Sequence, residues 1–183
     1  MRLRAASPDD AAAIAAIYAP FVTESAISFE TEPPDEAAMR ARIAAGGEFY
    51  PWLVTEEGGR VVGYAYAGPF RSRPAYRFAV ETSLYLAHGA GGRGLGRTLY
   101  RALLEILERQ GFVHAIAAIT LPNPSSVRLH EDLRFARIGT YHQVGHKLGE
   151  WHDVGLWQRG LATAIGLPRE PLRLEGVDGA HRP

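Results

Sequence analysis

The most glycine-rich stretch of the chain is residues 89–98, Gly-Ala-Gly-Gly-Arg-Gly-Leu-Gly-Arg-Thr. Its glycines carry no Cβ atoms, so the backbone N–H groups can converge on a ligand. Phe78 to Leu86, just before the stretch, has the pattern of a strand, and Leu95 to Gln110, just after it, has the apolar spacing of a helix. The first turn of a helix has unpaired N–H groups and the positive end of the helix dipole. The stretch is therefore predicted to bind an anion with the shape of a pyrophosphate.

Three anion-binding motifs fit this stretch. Residues 89–94 match the dinucleotide fingerprint, which also requires an acidic residue about 20 positions further on, whereas residues 111–122 contain no Asp or Glu. Residues 91–98 match a phosphate loop in which Arg replaces the Lys that contacts the terminal phosphates. Residues 91–96 also resemble the coenzyme A pyrophosphate loop of the Gcn5-related N-acetyltransferases (GNAT), with Gly91 where Gln or Arg is usual. A glycine-rich turn without a ligand is a further interpretation.

The composition narrows the possible functions. The chain has 183 residues, of which 46% are apolar and 22% charged, which is typical of one soluble globular domain. Its 20 basic and 20 acidic residues balance, which argues against nucleic acid or an anionic membrane as a partner. The absence of cysteine excludes disulfides and a cysteine nucleophile. No apolar run is long enough to span a membrane and no signal-peptide pattern is present, so we expect a cytoplasmic protein.

The hydrophobic pattern predicts the order β-α-α-β-β-β-α-β-α-β-β, hence an α/β fold with one mixed sheet and helices on its faces. The predicted strands are Arg2–Ala5, Pro51–Glu56, Val61–Ala67, Phe78–Leu86, Val113–Leu121, Arg137–Val144 and Trp151–Trp157, and residues 145–149 connect the last two. The predicted helices run from Ser7 to Pro20, from Asp35 to Ala45, from Leu95 to Gln110 and from Asn123 to about Leu133. Residues 1–163 are predicted as a single domain and residues 164–183 as a partly ordered tail.

This order of elements resembles the GNAT fold. Asn123, Leu129, His130, Glu131 and Phe135 resemble the family's Asn…Leu-Tyr-Glu-Lys-x-Gly-Phe helix, with His130 where Tyr is usual. Within the family the chain resembles the phosphinothricin and methionine-sulfoximine N-acetyltransferases over about residues 1–160. The segments that carry this similarity include residues 28–33, 50–54, 64–70, 81–85, 121–123, 126–131 and 151–155. The resemblance implies a central mixed, mostly antiparallel sheet with splayed middle strands.

The resemblance also implies acetyl-CoA as co-substrate. The strand at Ser83–Leu86 should splay and expose backbone groups to the pantetheine arm, while the glycine loop holds the pyrophosphate. Arg93 and Arg97 would add positive charge to the pyrophosphate site. Asn123 and Ser126 are expected to contact the coenzyme, and simple helix caps are the alternative. The expected coenzyme-binding residues are Leu84, Tyr85, Leu86, Gly91, Gly92, Arg93, Gly94, Leu95, Gly96, Arg97, Asn123 and Ser126.

Two residues are candidates for proton transfer. Glu81 lies in an apolar strand, where a carboxyl group has a raised pKa that suits proton removal from an ammonium group. The pattern alone also fits a solvent-facing strand position, but the resemblance identifies Glu81 as the general base. By the same resemblance, His130 would protonate the leaving thiolate or relay protons, and a structural histidine is the alternative.

The acceptor site is predicted from a basic loop and nearby aromatic residues. Arg71 and Arg73 have the planar donors that suit a carboxylate or phosphinate, although a solvated basic loop is the alternative. Herbicide-detoxifying members of the family that the chain resembles usually carry Lys at the position of Arg71 and Thr at the position of Ser83. The expected substrate-binding residues are Phe29, Arg71, Arg73, Tyr76, Ser83 and Tyr85. The loop that contains Phe29 is either ordinary core or a substrate lid.

No metal site is expected. His142 and His146 have the spacing of a ligand pair but no nearby acidic third ligand in the sequence. The predicted activity is therefore metal-free, acetyl-CoA-dependent transfer of an acetyl group to the α-amine of a small amino acid, by direct transfer in a ternary complex. Phosphinothricin, methionine sulfoximine and methionine sulfone are the expected kind of acceptor. Acetylation of another small amine or of a protein N-terminus, and a non-catalytic coenzyme A-binding module, are the alternatives. The resemblance also implies a homodimer.

Overall fold

The computed structural model describes residues 1–163, 166 and 168–176, and the elements occur in the predicted order. The strands are β1 (Arg2–Ala5), β2 (Trp52–Glu57), β3 (Arg60–Pro69), β4 (Ala79–Leu86), β5 (His114–Leu121), β6 (Ala136–Lys147) and β7 (Glu150–Gly160). The α-helices are α1 (Ala11–Thr23), α2 (Glu36–Gly46), α3 (Leu95–Gln110) and α4 (Pro124–Asp132). None of the helices in the described part of the chain combines the length and apolarity needed to cross a bilayer.

All seven strands form one sheet in the order β1-β2-β3-β4-β5-β7-β6. Every neighbouring pair is antiparallel except β4 and β5, which are parallel. These two central strands pair only where Ala79–Glu81 lie beside His114–Ile116. Beyond Glu81 they separate and leave a fork in the middle of the sheet. The predicted mixed, mostly antiparallel sheet with splayed middle strands is confirmed.

Side-chain alternation on the strands divides the core into two layers. Leu53 of β2 and Ala65 of β3 join the layer under α3. Val54 and Tyr64, their immediate neighbours in the chain, point the other way and join the layer under α1 and α2. The sheet therefore has helices on both faces, and the fork opens between these two layers.

Several predicted ends of helices and strands were wrong, and α1, β6 and β7 each extend three residues beyond the predicted end, β7 to Gly160. Helix α1 continues past Pro20 to Thr23, because proline lacks only its own N–H and its carbonyl still accepts a hydrogen bond from the Glu24 N–H at 2.9 Å. Strand β6 extends to Lys147, through residues predicted as a connection. The actual turn is Leu148-Gly149, with φ angles of 52° and 82°, a left-handed pair that suits a tight two-residue hairpin.

Part of the C-terminal segment is docked on the domain. The Leu172 N–H donates to the Gln110 carbonyl at 2.7 Å, and the Gln110 side-chain amide donates to the Leu172 carbonyl at 2.8 Å. Arg77 also forms an ion pair with Glu170. These contacts hold residues 168–176 against the end of α3. Residues 164, 165, 167 and 177–183 of the predicted tail lie outside the described residues, and the domain boundary at residue 163 stays a prediction.

Candidate active site

A cleft of about 490 Å³ opens where β4 and β5 separate. It lies between the end of β4, the glycine loop, the first turn of α3 and the first turns of α4. The residues that line it are Phe21, Ile27, Leu84, Tyr85, Leu86, Gly91, Gly92, Gly94, Gly96, Arg97, Asn123, Ser125, Ser126, Leu129 and His130. The structure therefore brings together nearly all the predicted coenzyme-binding residues. Leu95 and Arg93 do not line the cleft, since Leu95 is buried and Arg93 points to β2.

The glycine loop has the backbone conformation that its composition requires. Gly92 and Gly94 have φ angles of 78° and 79°, a left-handed conformation that residues with a Cβ rarely adopt. Gly94 is the N-cap of α3 and has no side chain to bond the first-turn N–H groups. Those N–H groups thus remain available at the edge of the cleft, where Gly94 and Gly96 both line the wall. This geometry fits the predicted pyrophosphate site.

The two arginines of this loop are ion-paired within the protein. Arg93 lies 2.9 Å from a Glu57 carboxylate oxygen, and Arg97 pairs with Asp132 of α4. Exposed pairs of this kind contribute little to stability because water and salt screen them. A bound anion would therefore compete with the two carboxylates for these guanidinium groups.

Helix α4 begins with a side-chain cap at the opposite wall of the cleft. The Asn123 Oδ1 accepts a hydrogen bond from the Ser126 N–H at 3.1 Å. Asn123 is therefore a helix cap, which was one of its two predicted roles. It also lines the cleft. The other side of its amide can contact a ligand without loss of the cap, because the Nδ2 donors are not needed for it.

His130 belongs to a buried chain of hydrogen bonds. Its Nδ1 lies 2.8 Å from the Ser126 carbonyl, its Nε2 lies 3.0 Å from the Tyr100 hydroxyl, and that hydroxyl lies 2.6 Å from the Thr82 Oγ1. A carbonyl can only accept, so Nδ1 carries the proton. Burial lowers the pKa of His130, which keeps the imidazole neutral, so Nε2 accepts from Tyr100.

Both ring nitrogens of His130 are thus bonded to other parts of the protein. This arrangement favours the structural alternative, in which His130 holds the wall of the cleft in place, and delivery of a proton to a thiolate stays a prediction. Tyr100 and Thr82 complete the chain, but our sequence reasoning did not select them. Tyr100 directly follows Leu99 on the apolar face of α3, and a tyrosine at a core position needs a polar partner.

Glu81 lies at the point where the sheet divides. It is the last residue of β4 that pairs with β5, and Gly68 of β3 faces it on the other side. Its side chain reaches solvent, but neighbouring atoms desolvate it in part and raise the pKa of its carboxyl group. Burial raises the pKa of Tyr66, and the negative charge of Glu81 adds to this effect. A carboxylate in this position can accept a proton from an amine at the fork.

Glu81, Ser83 and Tyr85 share the face of β4 that turns toward α1 and α2. The Tyr85 ring packs against Tyr18 and Phe21, with 5.0 Å between ring centroids in both cases. An aromatic layer therefore surrounds the predicted acceptor side of the fork. Ser83 lies between the proposed base and this layer, opposite Tyr66 of β3.

The predicted basic loop is held by aromatic side chains. The Arg71 guanidinium lies 5.0 Å from the Phe70 ring and 5.4 Å from the Tyr76 ring, within the range of cation–π contacts. Neither Arg71 nor Arg73 forms an ion pair with any residue that the structure describes. Both are exposed, so their positive charge is available to an anionic ligand. The loop follows Pro69, the last residue of β3, which pairs with Val80, the chain neighbour of Glu81.

The described residues contain no group of three or more His, Cys, Asp or Glu side chains that could hold a metal ion. His142 instead bonds an oxygen of Asp153 at 2.9 Å, an acidic partner that is distant in sequence. The His146 ring packs on Trp151, with 5.1 Å between ring centroids. The two histidines thus have different partners.

Comparisons with known proteins agree with this geometry. A family model described as an acetyltransferase (GNAT) domain matches residues 3–156. The chain belongs to this family. It is 42% identical over 173 residues to a phosphinothricin N-acetyltransferase of Streptomyces viridochromogenes, covering 94% of this chain and 93% of the relative. It is 38% identical over 165 residues to an L-methionine sulfoximine/L-methionine sulfone acetyltransferase of Salmonella typhimurium, covering 88% and 95%.

A solved structure gives the same result for the fold. A GNAT phosphinothricin acetyltransferase from Sinorhizobium meliloti, determined in complex with AcCoA, matches with a TM-score of 0.89 at 39% identity and covers 93% of this chain and 94% of that one. The predicted family and fold are thereby confirmed, and so is the prediction that this GNAT protein is an acyltransferase.

Proposed function

We propose that this GNAT protein transfers the acetyl group of acetyl-CoA to the α-amine of a small amino acid, such as phosphinothricin, methionine sulfoximine or methionine sulfone. The observation that carries the proposal is the position of Glu81, a partly desolvated carboxylate at the fork of β4 and β5. Beyond it along β4 lies the glycine-lined cleft, whose wall includes Phe21 and Tyr85. We assign Phe29 and the basic loop to the acceptor site, and this loop follows β3, the strand that pairs with Glu81 on its other side. Relatives with the corresponding activities support the choice of acceptor.

The glycine loop and the first turn of α3 would bind the pyrophosphate, with Arg97 exchanging Asp132 for a phosphate oxygen. The free backbone edge of β4 beyond Glu81 would bind the pantetheine arm, because β5 no longer pairs with it there. These contacts would place the thioester at the fork. The Arg71 and Arg73 guanidinium groups would bind the acid group of the acceptor and direct its amine toward Glu81.

Glu81 would take a proton from the acceptor's ammonium group, directly or through a water molecule. The neutral amine then attacks the thioester carbonyl, so that the C–N bond forms and the C–S bond breaks. The coenzyme leaves as a thiolate, and the proton that the nitrogen releases on forming the amide balances the proton that the thiolate gains. Because the chain has no cysteine, we propose direct transfer in a ternary complex rather than through an acetyl-cysteine. Intersecting initial-rate lines are the expected kinetic pattern, and parallel lines would contradict the mechanism.

The test is release of free thiol from acetyl-CoA in the presence of phosphinothricin, methionine sulfoximine, methionine sulfone and a panel of plain amines and N-terminal peptides. Saturable turnover of the sulfone, sulfoximine or phosphinate is the expected result. Turnover of plain amines or peptides alone would support the assignment of the coenzyme site and contradict the assignment of the acceptor site. Tight binding of coenzyme A without turnover of any amine would indicate a non-catalytic module.

We also propose that the protein is a homodimer that associates through the β6–β7 hairpin. The hairpin forms one edge of the sheet and exposes five large apolar side chains, Ile138, Tyr141, Val144, Leu148 and Trp151. An apolar surface of this kind marks an association site. Sedimentation of the wild type should give a dimer and Trp151→Glu a monomer, while Leu172→Glu, at an equally exposed apolar residue elsewhere, should leave the mass unchanged. The cytoplasmic location and the single domain over residues 1–163 complete the proposal.

A further inference from the structure

The loop between α1 and α2 is held by contacts from three directions. Two of its partners, Tyr18 and Arg42, line a pocket together with Gly68, the β3 residue that faces Glu81. The Ser28 Oγ lies 2.6 Å from the Tyr18 hydroxyl of α1. The Glu30 carboxylate accepts two hydrogen bonds from Arg42 of α2, at 2.7 and 2.8 Å. Ile27 of the same loop lines the cleft. Two helices therefore fix the inner side of the loop, and its outer side faces the β6–β7 hairpin.

The third contact comes from Lys147, the last residue of β6. Its Nζ donates a hydrogen bond to the Ser28 carbonyl at 2.5 Å, across 119 residues of sequence. Lys147 is only 8% exposed, which is rare for a lysine unless a partner compensates the lost hydration. The negative charge of Glu30 lies near enough to act on the ammonium group and offset part of this cost. The hairpin thus uses a buried cation to hold the backbone of the loop.

Gly145, two residues earlier on β6, leaves room for the Phe29 ring. A Cβ atom at Gly145 would lie 2.7 Å from the Phe29 Cδ2 and still nearer to its Cε2 and Cζ atoms. The backbone of Gly145 does not lie in the left-handed region, so only the ring requires a glycine here. Gly139, on the same strand and also outside the left-handed region, would have no atom within 4 Å of such a Cβ. The chain therefore contains a matched control for this position.

We propose that Gly145 and Lys147 are positioning residues for the amino acid site, because they seat the Phe29 ring and its backbone against the hairpin. This inference rests on the proposed function, which assigns Phe29 to the acceptor site. Displacement of the ring or release of the Ser28 carbonyl would change the shape of the acceptor pocket. Ile27 is the residue of this loop that lines the coenzyme cleft, whereas the glycine loop and α4, which form most of its wall, belong to other segments of the chain.

The first test compares steady-state kinetics of Gly145→Ala and Gly139→Ala, with methionine sulfone as acceptor. For Gly145→Ala we expect KM for methionine sulfone to rise by about tenfold, since small displacements of positioning groups weaken the productive geometry strongly. The KM for acetyl-CoA should stay within about twofold of the wild-type value, and Gly139→Ala should match the wild type in both constants. A purely structural defect would reduce active enzyme and lower kcat without this selective change in KM.

The second test repeats the Gly145 substitution in a Phe29→Ala background. Without the ring, the three atoms nearest to the added methyl group are gone, so Gly145→Ala should cause no further rise in KM. An equal rise in both backgrounds would overturn the inference. Lys147→Met, which keeps length but cannot donate to Ser28, should also raise KM for methionine sulfone selectively, and it serves as the test if Gly145→Ala fails to fold. If Phe29→Ala raises KM while Gly145→Ala and Lys147→Met do not, the inference fails and the acceptor site stands. If Phe29→Ala itself leaves KM unchanged, the assignment of Phe29 in the proposed function fails.

Discussion

Replacement of Tyr100 by phenylalanine would break the buried chain that joins β4, α3 and α4. Tyr100 is fully buried, and its hydroxyl bonds both the His130 Nε2 and the Thr82 Oγ1. In Tyr100→Phe the Thr82 hydroxyl can still bond the Ile116 carbonyl, 3.3 Å away, but the His130 Nε2 loses the partner it has in the described structure. One buried acceptor is therefore left unsatisfied, while the ring and its packing remain.

An unsatisfied buried polar group costs about 1–3 kcal/mol, so the free energy of unfolding of Tyr100→Phe should fall by that amount. For a chain of this size, the melting temperature should then drop by roughly 2–12 °C. Denaturant unfolding followed by circular dichroism measures the first quantity, and calorimetry measures the second. Glu105→Gln, at an exposed position of the same helix, is the control and should change stability by less than about 0.5 kcal/mol.

Tyr100→Phe should affect activity because it shifts the residues around the coenzyme cleft, and not because Tyr100 takes part in the reaction. Thr82 directly follows Glu81 on β4, and His130 lines the coenzyme cleft. A looser connection between them should raise KM for acetyl-CoA more than KM for the amino acid. Wild-type stability in Tyr100→Phe would refute the reasoning about the hydrogen-bond chain. A loss of kcat of about a hundredfold or more with unchanged KM values would instead indicate that the chain moves protons in the reaction.

Further predictions concern the charged residues of the site. Glu81→Gln should lower kcat by about 10²–10⁴-fold. Burial raises the pKa of Glu81, so the acidic limb of the wild-type pH–rate profile should lie above the ordinary glutamate pKa. The profile of Glu81→Gln should lack this limb. Asp132→Asn frees Arg97 and should lower the Kd for acetyl-CoA a few-fold in equilibrium titrations, an effect that disappears in high salt. Arg71→Ala should raise KM for methionine sulfone by about 10–100-fold, since a hydrogen bond to a charged group contributes about 1.5–3 kcal/mol. Burial lowers the pKa of His130 in the folded protein. Its contribution to the free energy of unfolding is therefore present above the ordinary histidine pKa and is lost as the pH falls through the pKa of the folded state. Urea unfolding across this pH range should show the loss, and His130→Gln should make the stability less dependent on pH.

Local patterns in the sequence determined the order of the elements and the conformation of the glycine loop. The bounds of α3 were predicted residue for residue, because Gly94 and Gly111 mark its two ends with left-handed backbone conformations that need no partner from elsewhere in the chain. The glycine loop was predicted for the same reason, since its φ angles follow from its own composition. The end of α1 was predicted too early because Pro20 removes only one N–H donor and its carbonyl can still accept a helical hydrogen bond.

Only the tertiary structure decided which residues meet at the site. The fork depends on where β5 stops pairing with β4, and the place of Glu81 as the last β4 residue paired with both β3 and β5 follows from that register. The Tyr100–His130 hydrogen bond joins residues 30 positions apart, and the Lys147–Ser28 bond joins residues 119 apart. No periodicity of 2 or 3.6 residues reports such pairs, because the sheet brings distant segments together only after all its strands are in register. Residue types and spacings thus supplied the candidate residues for this chemistry, whereas the contacts that support these residues exist only in the folded chain.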